Sequence, residues 1–406
     1  MESQARKKLN ILLVVSDLDF GGAQQIVVNL ANELVKQQHD VCVFDVFPEK
    51  RQNGMLSKFD KNVNVITKDF GKIELSAKDK IFDFLLNKIH IKQNNNKLRN
   101  KYHRNNLYEM LLKVNFDVVN SHVCWADFFV FNNLKTLHKK WIISLHSSYF
   151  EWTEKYLRDK KFRQKTISKI FSSVHGVVFL INSELELIKL NLKSNSNFLS
   201  KKIFNGIPEP SLKDKYNKSD FGFSQSDFVV LCASRAIKEK GWLELAKAVD
   251  QLNLNHSKIK LLFAGDGPIL SKMKNEYESE NIRFLGFKSD ILEIISISDL
   301  VVLPSYFEAL PTSLIEAGFL EKPILATNVG DTIKILENNK GRCGIIIEAK
   351  TGLELEKILI KEIEKIYEKY KAGNIIQNND SYRELKKIFC IKKMTYDYIN
   401  FYNSIN

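Results

Sequence analysis

Short apolar runs rich in Val and Ile recur along the chain, and each leads through a turn into a stretch with helical periodicity. Residues 9–16 (LNILLVVS) form the first such run. A Gly-Gly turn follows, and then Ile26, Val27, Leu30 and Leu34 recur at the three- and four-residue spacing of a helix with one buried face. Residues 41–47 supply a second strand and close a βαβ opening. The same pattern predicts strands ending at His122 and His146, and others at 176–181, 201–205, 228–234, 260–264, 281–287, 300–303 and 324–326. Continuous apolar strands of this kind, alternating with helices, belong to parallel sheets covered on both faces. Two long charged helices, 353–371 and 381–403, are predicted to close the chain.

The most compact unit is DLVVLPSYFEALPTSLIEAGFLEKPILATNVG, residues 299–330. Pro304 and Ser305 stop a buried strand, Pro311 suits the first turn of a helix over 312–319, and Pro323 marks the next strand. The loop between Pro304 and Pro311 therefore lies at the carboxyl end of a strand and the amino end of a helix. Ligands of open α/β sheets sit there, and a helix amino terminus offers N–H groups and a positive dipole to phosphate. Glu308 and Glu316 bracket the turn and, at about 100° per residue, share one face. A phosphate would repel them. Adjacent hydroxyls of a sugar or ribose suit a carboxylate that can accept two hydrogen bonds. Taken alone, the two residues fit a loop carboxylate and a solvated helix face as well as they fit a ligand site.

Other residues gather at predicted strand ends. His122 and His146 reach the carboxyl edge of one sheet. Arg235 follows the strand 228–234, and Lys240 with Gly241 precedes a helix. Two cations converging there repel unless an anion lies between them, and a nucleotide diphosphate would be that anion. Gly265 and Gly267, in GDGP, permit close approach of a base or ribose, as Gly21 and Gly22 permit close approach of a ligand at the first helix. Asp17 and Asp19 spell a metal-clamp pattern, but they end the first strand before the Gly-Gly turn, so a metal role is not expected. The glycines do not form G-x-G-x-x-G, the dinucleotide fingerprint.

The spacing of Glu308 and Glu316 inside PSYFEALPTSLIEA, with R-x4-K-G at Arg235–Gly241 and N-G-I at Asn205–Ile207, resembles the retaining nucleotide-sugar glycosyltransferases of family 4 with the GT-B fold. The variant with Pro311 three residues after Glu308 resembles the branch that builds lipopolysaccharide, capsule and other surface glycans. The resemblance implies two Rossmann-like domains facing each other across a cleft: an acceptor-binding domain over 1–208, a nucleotide-sugar-binding domain over 209–385, and a last helix over 386–406 that crosses back. It implies that Arg235 and Lys240 stabilise the leaving diphosphate, that Glu308 and His146 contact the donor sugar, and that Glu316 holds the ribose. Gly265, Gly267, Phe284, Leu285, Ala309, Leu310, Pro311, Thr312 and Asn205 would complete the donor site, with Phe284 and Leu285 beside the nucleobase. Gly21, Gly22 and His122 would meet the acceptor. Retention at the anomeric carbon, a UDP-sugar donor, a glycan or lipid-linked acceptor and activity without a metal or other cofactor are implied in the same way. Glu321 stands where a glycine commonly follows the helix, and Asp331 and Lys334 replace a usual Gly and Glu.

Composition adds location. At 406 residues and 44% apolar, the chain is long enough for two or three domains with real cores. No run approaches the 18 apolar residues of a membrane span and none near the start forms a signal-peptide core, so a cytoplasmic protein is expected. Five scattered cysteines fit reduced thiols. The net charge of +13 is uneven: residues 1–200 carry 31 Lys and Arg against 20 Asp and Glu, and residues 201–406 carry 30 against 28. The basic stretch at 71–112 suits peripheral contact with anionic lipid head groups or a lipid-phosphate acceptor, and the one at 151–171, with Trp152 and Tyr156, suits an interfacial membrane surface or nucleic acid equally well. Nucleic acid is not the expected partner. A nucleotide-sugar epimerase of the same architecture, or a non-catalytic basic protein binding membrane or RNA, are the alternatives; the second leaves the paired cations and both glutamates without a purpose.

Overall fold

The computed structural model describes residues 7–19, 21–47, 54–67, 114–134, 140–146, 149–156, 159–192, 197–308, 310–374 and 379–405. It divides into two compact units, Met1–Gly206 with Ile391–Asn406, and Ile207–Cys390.

Unit 1 is built on seven strands: β1 (Asn10–Val15), β2 (Asp40–Asp45), β3 (Asn64–Ile66), β4 (Val118–His122), β5 (Lys140–Ser144), β6 (Gly176–Phe179) and β7 (Leu199–Lys202). All pair in parallel in the order β3-β2-β1-β4-β5-β6-β7. Successive residues of β1 point to opposite faces. Leu12 and Val14 pack with Phe44, Val119 and Ile143 on one side. Ile11, Leu13 and Val15 pack on the other with the helix Gly22–Lys36 and with Met394, Tyr398 and Tyr402 of the helix Ile391–Ser404. β7 arrives two residues earlier than its apolar pattern predicts, because an edge strand is covered on one side only and shows alternation in place of a continuous apolar run. The basic stretch after β5 forms the helices Tyr149–Tyr156 and Lys160–Phe171, the second capped by Asp159, which accepts from the Phe162 N–H at 2.7 Å. The expected basic surface at 71–112 and the side chains of Trp152 and Tyr156 lie outside the described residues.

Unit 2 repeats the plan with β8 (Phe228–Ala233), β9 (Ile259–Ala264), β10 (Ile282–Phe284), β11 (Leu300–Leu303), β12 (Ile324–Thr327) and, after a short antiparallel hairpin of β13 (Glu337–Asn338) and β14 (Gly341–Arg342), β15 (Ile345–Ile347). Their order is β10-β9-β8-β11-β12-β15, all parallel. In each sheet the order reverses beside the first strand: between β1 and β4 in unit 1, and between β8 and β11 in unit 2. Doubly wound sheets bind ligands at the carboxyl ends of the strands flanking such a reversal.

The single helix expected over 381–403 is two, Asn379–Phe389 and Ile391–Ser404. The break falls at Cys390, which bridges to Ile207, whose N–H donates to the Phe389 carbonyl at 2.9 Å. Each half serves a different core. Leu385 fills the space over Gly318 in unit 2, where a Cβ would come within 2.6 Å of it, and Tyr398 and Tyr402 are buried in unit 1.

The helix Thr312–Phe319 spans its expected residues and ends without the glycine. Lys322 N–H donates to the Ala317 carbonyl at 3.0 Å and Glu321 N–H to the Gly318 carbonyl at 3.1 Å, the paired bonds of a Schellman ending. Glu321 takes the left-handed conformation itself, at φ +53°, and its carboxylate meets Lys386 at 2.8 Å. No described helix is long and apolar enough to cross a membrane.

Candidate functional site

The carboxyl edge of unit 2 is assembled by three loops locked through their backbones. After β8, the turn 234–241 donates from Ala236 N–H to the Asp266 carbonyl at 2.9 Å and receives the Ile269 N–H at its own Ala236 carbonyl at 3.2 Å. Trp242 Nε1 donates to Ser234 Oγ at 2.9 Å. Gly265 and Gly267, at φ +149° and +155°, are required by this contact: a Cβ would stand 1.8 Å from the Ser234 carbonyl oxygen and 2.4 Å from that of Ala236. Their purpose in the structure is therefore close backbone–backbone approach within the protein. Gly241 follows the same rule at φ +66°, with the Pro304 carbonyl oxygen 2.2 Å from the position of a Cβ.

After β11, Ser305 is fully buried and holds Glu308. Ser305 Oγ donates to Glu308 Oε1 at 2.8 Å, while Thr327 Oγ1, at the end of β12, donates to the Ser305 carbonyl at 2.5 Å. Lys240 reaches the same carboxylate, Nζ to Oε1 at 2.5 Å, and also donates to the Phe307 carbonyl at 3.1 Å. Both side chains of the pair are almost buried, at 11% and 12% exposure. This corrects one step of the sequence argument. Lys240 needs no ligand anion to offset its charge, because Glu308 supplies one. Arg235 is exposed at the same edge and meets no carboxylate among the described residues.

The remaining expected donor residues divide. Leu310 and Pro311 are buried, Thr312 is half-buried at the helix start, and Pro311 contributes no side-chain cap to that helix. Glu316 is half-buried and has a contact of its own within the protein. Ala309 lies outside the described residues. Phe284 does not present its ring to a ligand: it is buried and stacks on Phe263 at 4.9 Å and 14°, with Trp242 beyond at 6.1 Å. An aromatic at a strand end served the core, because β10 is covered by the helices of its own sheet. Leu285 is half-buried and its N–H donates to the Phe263 carbonyl at 2.8 Å. Asn205 is buried and belongs to unit 1, beside Gly206, whose N–H points at Met394 Sδ at 3.0 Å.

In unit 1 the carboxyl ends of β4 and β5 carry a pair of histidines. His122 ends β4 and His146 stands two residues beyond β5. Their rings stack at 5.1 Å and 25°, with His122 Nδ1 2.8 Å from His146 Nε2. Burial lowers the His146 pKa from 6.5 to about 4, and burial followed by the neighbouring His146 lowers that of His122 well below its ordinary value. Behind them, Tyr398 Oη donates to Ser144 Oγ at 3.1 Å, Ser144 Oγ to Asn120 Oδ1 at 2.9 Å, and Asn120 Nδ2 to Tyr402 Oη at 2.8 Å. This buried chain ties the last helix to β4 and β5. Gly21 is extended at φ −179° and Gly22 starts its helix with nothing within 4 Å of a Cβ position. Packing among the described residues does not require Gly22. Asp17 organises this turn, accepting from Ser16 Oγ at 2.8 Å and Gln24 Nε2 at 3.0 Å. Among the described residues no group of three His, Cys, Asp or Glu could hold a metal ion.

The sequence did not reveal Ser305 and Thr327 as supports of Glu308, the direct His122–His146 contact, or the Lys240–Glu308 pair. Only Ser305 carried a local signal, as the polar residue that stops β11. A cavity of about 540 Å³ lies elsewhere, at the far end of the helix Gly22–Lys36, lined by Glu33, Lys36, Gln37, Gln38, Lys392 and Tyr396. None of the candidate residues lines it.

Two family descriptions match the chain: Glycosyltransferase Family 4 over residues 20–191 and Glycosyl transferases group 1 over residues 214–380. Among curated relatives, N-acetyl-alpha-D-glucosaminyl L-malate synthase of Bacillus anthracis is 27% identical over 222 residues, 50% of this chain and 56% of that protein. The UDP-Gal:alpha-D-GlcNAc-diphosphoundecaprenol alpha-1,3-galactosyltransferase of Escherichia coli is 24% identical over 248 residues, 57% of this chain and 63% of that protein. The match thus spans less than two thirds of either relative. Among solved structures, Anabaena HepE in complex with UDP superposes with a TM-score of 0.69 at 16% identity, covering 98% of this chain and 100% of that one. A glycosyltransferase of Rickettsia africae superposes with a TM-score of 0.70 at 17% identity, covering 98% and 99%.

Proposed function

The chain belongs to the family 4 glycosyltransferases and has the GT-B fold, and from this we propose that it transfers a sugar from a UDP-sugar to a glycan or lipid-linked acceptor of surface-polysaccharide synthesis, with retention at the anomeric carbon. The observation that carries the proposal is the edge between β8 and β11, where Arg235 is exposed, meets no carboxylate among the described residues, and stands in a loop stitched to the buried Lys240–Glu308–Ser305 group. An anion is the partner that Arg235 lacks, and one oxygen of Glu308 remains to accept a sugar hydroxyl. Its relatives support both halves of the reading: HepE was solved with UDP and with UDP-glucose, and the E. coli enzyme acts on a diphosphoundecaprenol-linked sugar.

In this reading Arg235 takes the diphosphate together with the N–H groups at the start of the helix Thr312–Phe319, and its charge stabilises the leaving group as the sugar–phosphate bond breaks. Lys240 sets the position of Glu308. Glu316 is assigned to the ribose, and the edge of unit 1 that carries His146, His122, Gly21 and Gly22 to hydroxyl-bearing groups. A cation of the protein performs the work that a divalent metal performs elsewhere, so turnover is proposed to be metal-independent.

The test is turnover of UDP-, GDP- and ADP-sugars with and without a lipid-diphosphate-linked acceptor, in buffer containing a chelator. Transfer from a UDP-sugar that depends on the acceptor supports the proposal. Isomerised donor formed without acceptor would identify an epimerase instead, and loss of transfer on chelation would overturn the metal-free reading.

A further inference from the structure

The helix Cys124–Leu134 follows β4 and, as CWADFFVFNNL, is apolar on nearly every side. Its inner side is fixed by Asp127, which is buried and accepts from Ser121 Oγ at 2.6 Å. Trp125 and Phe128 share another face at the i, i+3 spacing and are only half-buried. Polar residues ordinarily fill the outward face of a helix, so two aromatic rings there call for a purpose.

The turn that starts this helix is strained. Val123 has φ +75°, a left-handed conformation that a β-branched side chain disfavours. Its carbonyl accepts the Ala126 N–H at 2.9 Å, so the chain passes from strand to helix within one residue and Trp125 falls in the first turn, at the carboxyl end of β4. Strain of this kind gathers at ligand sites. β4 and β1 flank the reversal of the sheet, where doubly wound sheets take their ligands.

Two rings hold Trp125 in place. It meets Phe128 at 6.1 Å and 52°, and Phe47, two residues beyond β2, edge-on at 6.3 Å and 89°. Phe47 and Phe128 themselves pack against the core. β1 runs between β2 and β4, so the contact of Trp125 with Phe47 closes across it. The Phe47 N–H donates to the Ser16 carbonyl at 2.9 Å, and Asp17 is the next residue of that strand end. The Asp17 carboxylate is half-buried, is oriented by Ser16 Oγ and Gln24 Nε2, and has more lone pairs than those two bonds use. An aromatic platform beside a fixed carboxylate matches a molecule with an apolar face and a hydroxylated rim, which describes a pyranose ring. An acyl or isoprenoid chain in the same place would strip water from Asp17 without returning a hydrogen bond.

We propose that Trp125, braced by Phe47 and Phe128, is the platform on which the acceptor sugar packs, and that it sets specificity for the acceptor. The C–H face of the sugar lies on the indole and a hydroxyl turns toward Asp17. This rests on the glycosyl-transfer reading, in which unit 1 takes hydroxyl-bearing groups.

The test uses the full chain labelled with 5-fluorotryptophan, where the 19F resonance missing from Trp125→Phe identifies Trp125. Methyl glycosides of glucose, galactose and N-acetylglucosamine at millimolar concentration should shift that resonance saturably, and geranyl phosphate should not. A shift with geranyl phosphate at lower concentration than with any glycoside would assign the platform to a lipid chain and overturn the proposal, as would silence with every probe. In turnover with a lipid-diphosphate-linked acceptor, Trp125→Ala should raise the acceptor KM about tenfold or more at unchanged donor KM, and Trp125→Tyr should recover most of it. Should the alanine variant fail to fold, Trp125→Leu keeps apolar volume without an aromatic face and should show the same rise. An unchanged acceptor KM, or an equal rise in both KM values, would overturn the proposal. A wild-type chain that turns over no nucleotide sugar would refute the functional reading alone, because the fluorine shifts are read without turnover.

Discussion

At the carboxyl edge of β4 and β5, unit 1 buries two neutral imidazoles against each other. At the carboxyl ends of β8 and β11, which flank the reversal of its own sheet, unit 2 buries a lysine against a glutamate and leaves an arginine exposed. The strand orders are equivalent, so the difference lies in the side chains that the strand ends carry. Neutral polar groups can be enclosed if they bond each other, and burial then removes their charge by lowering their pKa. A lysine cannot be neutralised so readily and is enclosed only with a counter-charge and further hydrogen bonds, here Glu308 and the Phe307 carbonyl. Because that counter-charge is internal, the capacity of unit 2 to attract an anion falls on Arg235.

The largest effect should come from breaking the internal pair. Lys240→Met leaves Glu308 charged, nearly buried and held by Ser305 alone, and should cost about 3–5 kcal/mol of folding stability. The double variant with Glu308→Gln should recover much of that in urea unfolding; equal losses in single and double variants would show that the pair is not the source.

A slightly smaller effect should appear in unit 1 on acidification. His146 has a folded pKa of about 4 against an ordinary 6.5, so the folded chain binds fewer protons than the unfolded chain in between. Its contribution is complete above about pH 6.5 and is lost as pH falls toward 4, amounting to roughly 3 kcal/mol. Urea midpoints taken from pH 7 to pH 4.5 should fall, and His146→Phe should flatten that dependence. A wild-type midpoint that holds steady over this range would mean that His146 is not buried in its neutral form.

Arg235→Ala sharpens the contrast from the other side. The residue is exposed and meets no carboxylate among the described residues, so stability should change by less than about 0.5 kcal/mol. Transfer should slow about a hundredfold, the usual cost of one preorganised charge at a leaving group. Steady-state rates beside a thermal melt separate the two quantities, and a large loss of stability would assign Arg235 to the fold.

The smallest expected effect is at Glu321→Gly. Relief of the left-handed strain should contribute about 1 kcal/mol, offset in part by the lost pair with Lys386, whose side chains are 39% and 28% exposed. A slightly raised melting temperature is expected, and a clear drop would show that the ion pair outweighs the backbone.

These contrasts were only partly legible in the sequence. Continuous apolar runs located most strands, since central strands buried on both faces carry no competing signal. β7 slipped because its edge position leaves one face wet. The helix 381–403 was read as one because periodicity reports a buried face and says nothing about which core buries it; the break at Cys390 follows from Ile207 meeting it there. Glu308, Arg235 and Lys240 were recognisable from spacing, yet the Lys240–Glu308 contact joins residues from loops after different strands and leaves no local trace. Gly265 and Gly267 were read as positions where a base or ribose comes close, and the group that approaches them in the structure is the protein's own backbone. Phe284 misled because a strand-end aromatic looks alike whether it faces a ligand or the ring beneath it.

The central claim is that a nucleotide diphosphate binds at the edge of β8 and β11. Amide hydrogen exchange with and without UDP, on the wild-type chain and on Arg235→Ala, tests it most directly. Protection concentrated in residues 234–241 and 305–314, and lost in the variant, is the predicted result. Protection elsewhere, or equal protection in both proteins, would contradict it.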